Sequence, residues 1–491
     1  MDFLDPAKKR SHNRRLVIGY ILVGVSILLT SIILIFLTNG YDVDRKTGEV
    51  IQNGLIFADT APESATIYLN GKDNGQTDKR LTVPAGKYDI EFKRDGYRTW
   101  KKTLQLEGST IERLVYARLF PTKLSQATSA TYSGTPTFST QSLDRRWLVV
   151  AQPGSLTDYQ IFDTNDPAKD PVELKLPPNI LTAATGNQSL ELTEWASDNR
   201  HVLLQHNYDD KSEFIMLDRE DAANAVNINT LLAVTPSKVT LRDKKFDQLY
   251  LYDAATKQLS TAETKTKQIT PLIKDVNAYK SYGADMVLYS TTDAAKPGKT
   301  IVKVWDDNKP YTLHTFNETD TLLDLAQFDG AWYVVVVPVK EGRVYIYKDP
   351  FDKIKAKPAT EATAFAVMKM TDAAFLSFSA NTRFVGVQSG KKFAVYDLET
   401  NRRSAYEVPG DVPITQKATW MDGHRYMLDQ GGKVVVFDFD GINRQELSTT
   451  IGGVLPYFTR DYQRLYTLSP VENDPTKVTL TRSSLKVNLK P

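Results

Sequence analysis

The chain has 491 residues, more than one ordinary hydrophobic core accommodates, so two or more domains are expected. Its 61 Lys and Arg residues nearly balance its 59 Asp and Glu residues, and this balance gives no indication of a nucleic-acid partner. The absence of cysteine excludes disulfides, thiolate metal sites, cysteine nucleophiles and lipid attachment through an N-terminal cysteine.

The first predicted element is a membrane-spanning helix over residues 16–37, LVIGYILVGVSILLTSIILIFL, a stretch without charge. A helix of this length spans roughly 33 Å, enough for a hydrocarbon core of about 30 Å. A cleaved signal peptide and a buried globular helix are the alternatives, but the stretch is long for the first and apolar all round, which disfavours the second.

Charges beside this span predict its orientation. The tail, residues 1–15, carries five basic residues, whereas only Arg45 and Lys46 follow the span at a similar distance. The positive-inside rule therefore predicts a single-pass protein of the cell membrane with a cytoplasmic N-terminus and extracytoplasmic C-terminal domains. The lipid bilayer is thus the first predicted partner.

A juxtamembrane linker is predicted over residues 38–57, where Asn39-Gly40, Thr47-Gly48 and Asn53-Gly54 are turn signals. Residues 58–119 then alternate apolar and polar side chains in short runs, a pattern typical of antiparallel strands. In one such run Tyr88, Ile90 and Phe92 share a face. The turns between these runs are Asn70-Gly71, Pro84-Ala85-Gly86 and Asp95-Gly96.

These residues resemble a known family. Tyr68-Leu69-Asn70-Gly71-Lys72, Val83-Pro84-Ala85-Gly86-Lys87-Tyr88 and Gly96-Tyr97, followed by Trp100, are similar to the PEGA domain of bacterial surface proteins. The turn that gives this family its name has Pro-Ala-Gly-Lys in this chain. The resemblance implies a small β-sandwich of an envelope protein, without catalytic residues. Because its short hairpins fold locally and rigidly, the sandwich is expected to act as a spacer above the membrane.

The segment 120–491 contains an internal repeat, in which an aromatic or apolar residue, a polar turn and an apolar strand recur. A second strand that ends in a polar turn usually follows, as at Asp163, Asp218 and Asp397. The copies lie about 45 residues apart, the length of a four-stranded propeller blade. The turn positions of the eight copies are Asp144, Asp198, Asp247, Gly283, Asp329, Asn381, Asp422 and Asp461.

The predicted fold is therefore mainly β, with a seven- or eight-bladed β-propeller after the sandwich. Eight turn copies favour eight blades, but copies three and four could together form one enlarged blade. Residues 122–134 are available to add a strand to the last blade and close the ring.

One copy carries a second resemblance. The strand that begins at Val434 runs into Asp438-Phe439-Asp440-Gly441-Ile442-Asn443, and Leu447 opens the next strand, a pattern similar to that of TolB-type propellers. The turns after Phe378 and Phe458 also resemble that family, with Ala380-Asn381 and Arg460-Asp461 in place of Pro-Asp. This resemblance implies a fold and a binding surface, not a reaction.

The search for reactive chemistry is negative. A G-x-S-x-G nucleophile motif is absent, and Glu191 and Glu194 are predicted to diverge. His201 and His206 are five apart on a strand, so they should face opposite sides. The other histidines are His12, His314 and His424. No catalytic, metal-binding or cofactor-binding residue is predicted.

Two further patterns are better explained structurally. Asp438 and Asp440 alternate as calcium ligands do, but position twelve of such a loop is Thr449, so a strand-connecting turn is favoured. The Tyr, Phe and Trp residues, 24, 20 and 6 in number, are expected mostly in the core, which leaves the binding residues unknown. The predicted structural turn residues are Asn70, Gly71, Pro84, Gly86, Gly96, Asp440 and Gly441.

The functional prediction is a non-enzymatic, membrane-anchored binding or scaffold protein. Its propeller would present a surface to an envelope protein or a cell-wall glycan. The alternative is a propeller-type glycosidase or lyase that acts on an envelope polysaccharide, which would require charged and tyrosine side chains to converge in the central channel.

Overall fold

The computed structural model describes residues 6–38, 40–43, 48, 50–292 and 296–491. The chain forms two compact units, Met1–Lys123 and Leu124–Pro491. Of the predicted topology and turn residues, Asn39, Arg45, Lys46 and Thr47 lie outside the described residues.

The first unit contains one long helix and eight strands. In chain order they are α1 (Pro6–Thr38), β1 (Tyr41–Val43), β2 (Val50–Ala61), β3 (Thr66–Leu69), β4 (Lys72–Gln76), β5 (Lys79–Pro84), β6 (Gly86–Lys93), β7 (Trp100–Leu106) and β8 (Ile111–Arg118). Within α1, His12–Thr38 is long and apolar enough to cross a membrane, and its apolar side chains are exposed rather than packed on protein. The helix therefore extends into the predicted basic tail.

Two four-stranded sheets form the small sandwich. In one, β1, β5 and β8 all pair with β2, and the other has the order β4-β3-β6-β7. Ile90 and Phe92 of β6 are buried on one face, as the alternation predicts. Phe92 stacks on Trp100, which has no exposed surface, with ring centroids 5.1 Å apart. Burial of these aromatic side chains contributes to the stability of this small domain.

The structure corrects the predicted linker, because β2 begins at Val50, inside residues 38–57. Gly54 lies within this strand opposite Val83, and Asn53-Gly54 is not a turn. A Cβ at Gly54 would come within 2.6 Å of Leu106 Cγ, so glycine here permits close packing rather than a reversal of the chain. The strands are also not all antiparallel, because β2 and β8 pair in parallel. The intervening β3–β7 provide the long crossover that a parallel pair requires.

The turns of the sandwich have the conformations their residues favour. Asn70 and Gly71 join β3 to β4 with φ angles of 49° and 79°, the positive values of a tight hairpin turn. Pro84 ends β5 and Gly86 begins β6, with one residue between them. Gly96 has a φ of 80° in the turn that precedes β7.

The second unit begins with β9 (Gln126–Tyr132) and continues through sheets of four strands each. Blade 1 contains β10 (Ser139–Gln141), β11 (Trp147–Ala151), β12 (Asp158–Asp163) and β13 (Val172–Lys175). Blade 2 contains β14 (Gln188–Trp195), β15 (His201–Tyr208), β16 (Lys211–Asp218) and β17 (Val226–Asn227). Blade 3 contains β18 (Lys238–Leu241), β19 (Gln248–Asp253), β20 (Gln258–Glu263) and β21 (Gln268–Ile273). Blade 4 contains β22 (Val276–Tyr282), β23 (Met286–Thr292), β24 (Lys299–Asp306) and β25 (Lys309–Asn317).

The remaining blades follow the same order. Blade 5 contains β26 (Thr321–Phe328), β27 (Ala331–Pro338), β28 (Arg343–Lys348) and β29 (Ala366–Lys369). Blade 6 contains β30 (Phe375–Phe378), β31 (Phe384–Ser389), β32 (Lys392–Asp397) and β33 (Arg402–Glu407). Blade 7 contains β34 (Thr419–Trp420), β35 (Arg425–Asp429), β36 (Lys433–Asp438) and β37 (Gln445–Thr449). Blade 8 contains β38 (Tyr457–Phe458), β39 (Arg464–Val471) and β40 (Asp474–Ser484). Short helices occur at α2 (Ile228–Leu232) and α3 (Phe351–Ile354), with 3₁₀ turns at Ala222–Asn224, Arg242–Lys244 and Val339–Glu341.

The ring has eight blades, and the choice between seven and eight is resolved. Strand β9 pairs with β40 and completes blade 8, so the first propeller strand closes the ring against the last. All eight predicted turn positions lie between the first and second strands of successive blades. Copies three and four are separate blades, each with its own four strands.

Hydrogen bonding explains why aspartate recurs at the turn positions of the repeat. The carboxylate of Asp144 accepts a hydrogen bond from the backbone N–H two residues ahead, and Asp198 and Asp461 do the same in their blades. The intervening residue has a positive φ, such as 63° at Arg145. A short polar side chain that satisfies the backbone in this way is the mechanism that favours Asp and Asn at turns.

The hydrophobic core lies between consecutive blades rather than at one centre. Val149 and Ile161 of blade 1 pack with Val202 and Leu204 of blade 2 in one cluster. Similar clusters join blades 2 and 3, 4 and 5, and 5 and 6. A blade cannot bury both of its faces alone, so its stability depends on its two neighbours. Several large aromatic residues are fully buried there, as predicted: Tyr159, Tyr250, Tyr347, Tyr466, Phe384, Phe393 and Phe437.

Candidate functional site

The first strand of each blade lines the central channel of the propeller. These strands contact their counterparts in neighbouring blades, as β26 does with β22 and β30. The other three strands of each sheet follow in order away from the axis. Side chains on the inner strands therefore reach a common space from eight directions, the usual location of a propeller's ligand site.

A cavity of about 470 Å³ lies against the inner strands of blades 7, 8, 1 and 2. Its wall includes the side chains of Leu192, Leu455 and Phe458, and Leu192 is 44% exposed. Glu191 and Tyr457 add polar groups to the same wall. An apolar wall with a few polar groups is typical of a site that binds a ligand.

Arg145 extends across one side of this cavity. Its Nη2 donates to the carbonyl of Met421, 2.7 Å away and in blade 7, and its guanidinium lies 4.5 Å from the ring centroid of Tyr462. Its Nη1 is buried without a hydrogen-bond partner in the described part of the chain, as is the hydroxyl of Thr419. Unsatisfied polar groups at a cavity wall are costly unless a ligand or water bonds to them.

Lysines reach the channel from other blades. Lys280 of β22 lies 3.3 Å from the carboxylate of Asp324 in β26, and Lys238 of β18 lies 4.7 Å from the ring centroid of Tyr279. Lys417 lies two residues before β34. Burial by the surrounding protein lowers the pKa of Lys238 and of Lys417, and the charge of Lys280 lowers both pKa values further.

The predicted histidines do not converge. His201 lies 2.6 Å from Asp198 and stacks on Phe246 of blade 3, whereas His206 is fully buried and lies 2.8 Å from Glu213. Their environments therefore lie on opposite faces of β15, as the alternation predicts. His12 lies in α1, and His314 and His424 belong to blades 4 and 7. Among the described residues no group of three or more His, Cys, Asp or Glu side chains could hold a metal ion.

The two predicted divergent glutamates have different partners. A β-bulge separates Glu191 from Glu194 on β14. Glu191 accepts a hydrogen bond from Asn207, and Glu194 forms an ion pair of 2.6 Å with Lys244. Lys244 thus holds a carboxylate that borders the channel.

The alternating aspartates of blade 7 form a turn. Asp438 accepts hydrogen bonds from Asn443 and lies 3.1 Å from the guanidinium of Arg425. The N–H of Gly441 donates to the carbonyl of Asp438, and Gly441 has a φ of 83°. The Asn443 amide and the Arg425 guanidinium occupy positions around the Asp438 carboxylate that a cation would need, which favours the turn interpretation over a calcium loop.

Sequence reasoning missed Arg145, Lys238, Lys280 and Lys417 as channel residues. They are spread over blades 1, 3, 4 and 7, and no local motif connects them. The repeat alignment places Lys238, Lys280 and Lys417 in or beside inner strands, and this position is the one feature of the sequence that could have identified them. It does not show which side chains point inward.

The chain is similar to known proteins in its sandwich sequence and in its propeller fold. Residues 53–117 match the family model of the PEGA domain. No curated protein sequence matches the chain at a significant level. Propellers are found among similar solved structures: the Dos1 propeller is 14% identical with a TM-score of 0.45, covering 74% of this chain and 95% of its own. The match over residues 53–117 identifies the sandwich as a PEGA domain.

Two further solved structures are similar at the level of fold alone. Oligogalacturonate lyase in complex with manganese is 11% identical with a TM-score of 0.36, covering 62% of this chain and 99% of its own. Apo AztD from Citrobacter koseri is 12% identical with a TM-score of 0.38, covering 79% of this chain and 95% of its own.

Proposed function

We propose that this chain is a membrane-anchored binding protein whose propeller channel binds an envelope protein or glycan without catalysis. In this proposal α1 crosses the cell membrane with its N-terminus in the cytoplasm, and the PEGA domain and the propeller lie on the opposite side. The observation that carries the binding role is the 470 Å³ cavity at the inner strands, with its apolar wall and its unsatisfied donors on Arg145 and Thr419.

The anchor is supported by the surroundings of α1. Its apolar side chains between Leu16 and Leu37 are exposed in the chain, so a bilayer is the environment that would bury them. Arg10, Arg14 and Arg15 lie in the same helix before the apolar stretch. Their position supports a cytoplasmic N-terminus, because basic residues are retained on that side.

The lack of cysteine allows a direct test of orientation, since any introduced thiol is the only one in the chain. Lys369→Cys places it on the outer strand of blade 5, and His12→Cys places it in the N-terminal part of α1. A membrane-impermeant maleimide should label Lys369→Cys in intact cells and His12→Cys only after lysis. The reverse pattern would contradict the proposed topology.

The binding role is tested by filling the cavity. Leu192→Trp should reduce the capture of an envelope protein or glycan by the full chain in detergent, because the larger side chain occupies the ligand space. Val172→Trp, on the outer strand of blade 1 and 51% exposed, is the matched control and should leave capture unchanged. Equal loss in both variants would contradict a channel site.

The glycosidase or lyase alternative requires a carboxyl group able to hold a proton near neutral pH. Near the channel, Glu191, Glu194 and Asp324 each accept a hydrogen bond or face a lysine. Each of these carboxylates is thus engaged by a partner within the protein, which favours binding over acid catalysis. The release of new reducing ends from envelope polysaccharide by the full chain would instead establish the enzyme.

A further inference from the structure

Three lysines enter the channel from three different blades. Lys238 begins β18 in blade 3, Lys280 lies in β22 of blade 4, and Lys417 precedes β34 of blade 7. All three residues keep solvent-accessible surface although each belongs to, or borders, an inner strand, and protein atoms closely surround Lys238 and Lys417. Exposed side chains on inner strands of a closed ring share the water of one channel.

Of the three lysines, only Lys280 has a carboxylate partner among the described residues. Asp324 faces Lys280 at 3.3 Å, and Glu194 is already paired with Lys244 at 2.6 Å. Within the described part of the chain, Lys238 and Lys417 have no carboxylate within ion-pair distance. The lysine cluster therefore carries an excess of positive charge.

We infer that the lysine cluster, Lys238, Lys280 and Lys417, binds oxyanion groups of the channel's ligand, either carboxylates or phosphates. This inference rests on the proposed binding role of the channel and specifies the chemistry of its ligand. An ammonium group is a compact charge with three donors, and it binds oxyanions without a fixed geometry. Because the three lysines belong to separate blades, a ligand with two or more negative groups would engage them together.

The electrostatics of the free channel support this assignment. Burial lowers the pKa of Lys417, Lys280 lowers it further, and Asp324 only partly opposes the effect. The same repulsion from Lys280 acts on Lys238. The empty channel thus holds charges that repel one another, and an entering anion would replace this repulsion by attraction.

The ring also gives the ligand two different walls. Blade 4, which carries Lys280, lies opposite blade 8, which carries Tyr457 and Phe458 of the cavity wall, because the ring has eight blades. A ligand in the channel would meet Lys238 and Lys280 across from the apolar and aromatic wall, and Lys417 of blade 7 beside that wall. This arrangement suits an acidic chain whose backbone has apolar faces better than a small free ion.

The test uses the full chain in nanodiscs of zwitterionic phosphatidylcholine, so that lipid headgroups add no net negative charge. The probes are a trimer of glucuronic acid, inorganic triphosphate and, as the neutral control, a trimer of glucose. The variants are Lys238→Gln and Lys417→Gln. Lys369→Gln on the outer strand β29 removes an exposed lysine away from the channel and is the matched control.

We expect at least one anionic probe to bind, with affinity that falls as salt rises, and the neutral trimer not to bind. Each channel variant should weaken binding about tenfold, as the loss of one charge-assisted contact predicts, and Lys369→Gln should not. Binding of only the acid trimer assigns a carboxylate ligand, and binding of only triphosphate assigns a phosphate ligand. Equal binding of the neutral trimer, unchanged affinity in both channel variants, or binding of neither anion would overturn the inference.

The melting temperature shows whether Lys417 serves anion binding or instead stabilises the fold. Lys417→Gln should raise the melting temperature of the free protein, because it removes a desolvated and repelled charge, while it weakens anion binding. A lysine that stabilises the fold would give the opposite shift. If Leu192→Trp abolishes capture of envelope material but neither anion binds, the proposed function stands and the lysine site fails. If the unsubstituted chain captures no envelope material and binds neither anion, both the proposed function and the lysine site fail.

Discussion

At the scale of single residues, an arginine–aspartate pair recurs in the propeller. Arg146 and Asp163, Arg200 and Asp218, and Arg383 and Asp397 connect the start of a blade's second strand to the end of its third. In blade 7 the corresponding residues are Arg425 and Asp438. In these four blades the acidic residue that ends the repeat's second strand thus has a defined role, because its contact with the arginine holds two strands in register.

Asp218 provides the sharpest test of this pair. It is 1% exposed, and although burial alone would raise the pKa of its carboxyl, hydrogen bonds from Arg200, Glu220 and Asn224 hold that pKa well below its ordinary value. Asp218→Asn should lower the free energy of unfolding at pH 7 by about 2 kcal/mol, because Arg200 loses its buried partner and keeps only Glu220 within the described chain. Urea denaturation measures this, and Asp166→Asn at an exposed turn should change it little.

His424 makes stability depend on pH. Burial lowers the pKa of its imidazole to about 4; Asp422 and Asp397 partly oppose this effect, and Arg425 and Arg383 add to it. The unfolded chain binds this proton below about pH 6.5 and the folded chain only near pH 4. Stability should therefore fall by up to about 3 kcal/mol as the pH drops through that window.

Replacement of His424 tests whether this residue causes the predicted loss of stability at low pH. His424→Gln should flatten the free energy of unfolding between pH 6.5 and pH 4, measured by denaturation in urea at several pH values. His12→Gln, in α1, should leave the slope unchanged. A steeper slope in His424→Gln would contradict a buried neutral imidazole.

At the scale of elements, the contact between neighbouring blades depends on side chains that fit closely. Tyr426 of β35 stacks on Trp420, with ring centroids 3.8 Å apart. Both rings lie over Gly386 of β31 in the preceding blade, and a Cβ at that glycine would overlap the Tyr426 hydroxyl and reach within 3.0 Å of the Trp420 ring. The glycine is thus needed for close approach of two blades.

Gly386→Ala should therefore lower the free energy of unfolding by about 3 kcal/mol, because the core between blades 6 and 7 would be overpacked. The double variant Gly386→Ala with Tyr426→Phe removes the overlapping oxygen and should recover part of this loss. Thermal or urea unfolding of both variants measures the coupling. Additive effects of the two substitutions would contradict the proposed contact.

At the scale of the whole molecule, one strand closes the ring. Tyr132 of β9 is 3% exposed and packs with Leu148 and Val150 of blade 1 as well as with Leu468 and Leu480 of blade 8. The junction between the first and last blades is therefore held by main-chain pairing and by a shared core. A ring without this junction would expose a strand edge and an apolar face.

Tyr132→Ala should lower the free energy of unfolding by about 3 kcal/mol, through the cavity it leaves at this junction. Hydrogen exchange should accelerate first in blades 1 and 8, because they lose contact with each other before the remaining blades separate. Uniform acceleration around the ring, or acceleration confined to blades 4 and 5, would contradict the role of β9 in closure.

The sequence by itself determined the apolar span, the PEGA turns, the period of about 45 residues and the eight turn positions. These features are local, since a turn or an alternating strand needs particular residues within a few positions of one another. Only the tertiary structure decided that Asn53-Gly54 lies inside a strand, where Leu106 packs against the glycine. It also brought Arg145 to Met421 and Lys280 to Asp324, and it placed the lysines of three blades around one channel. Such contacts arise from ring closure, which depends on the packing of all blades together and leaves no motif in any one of them.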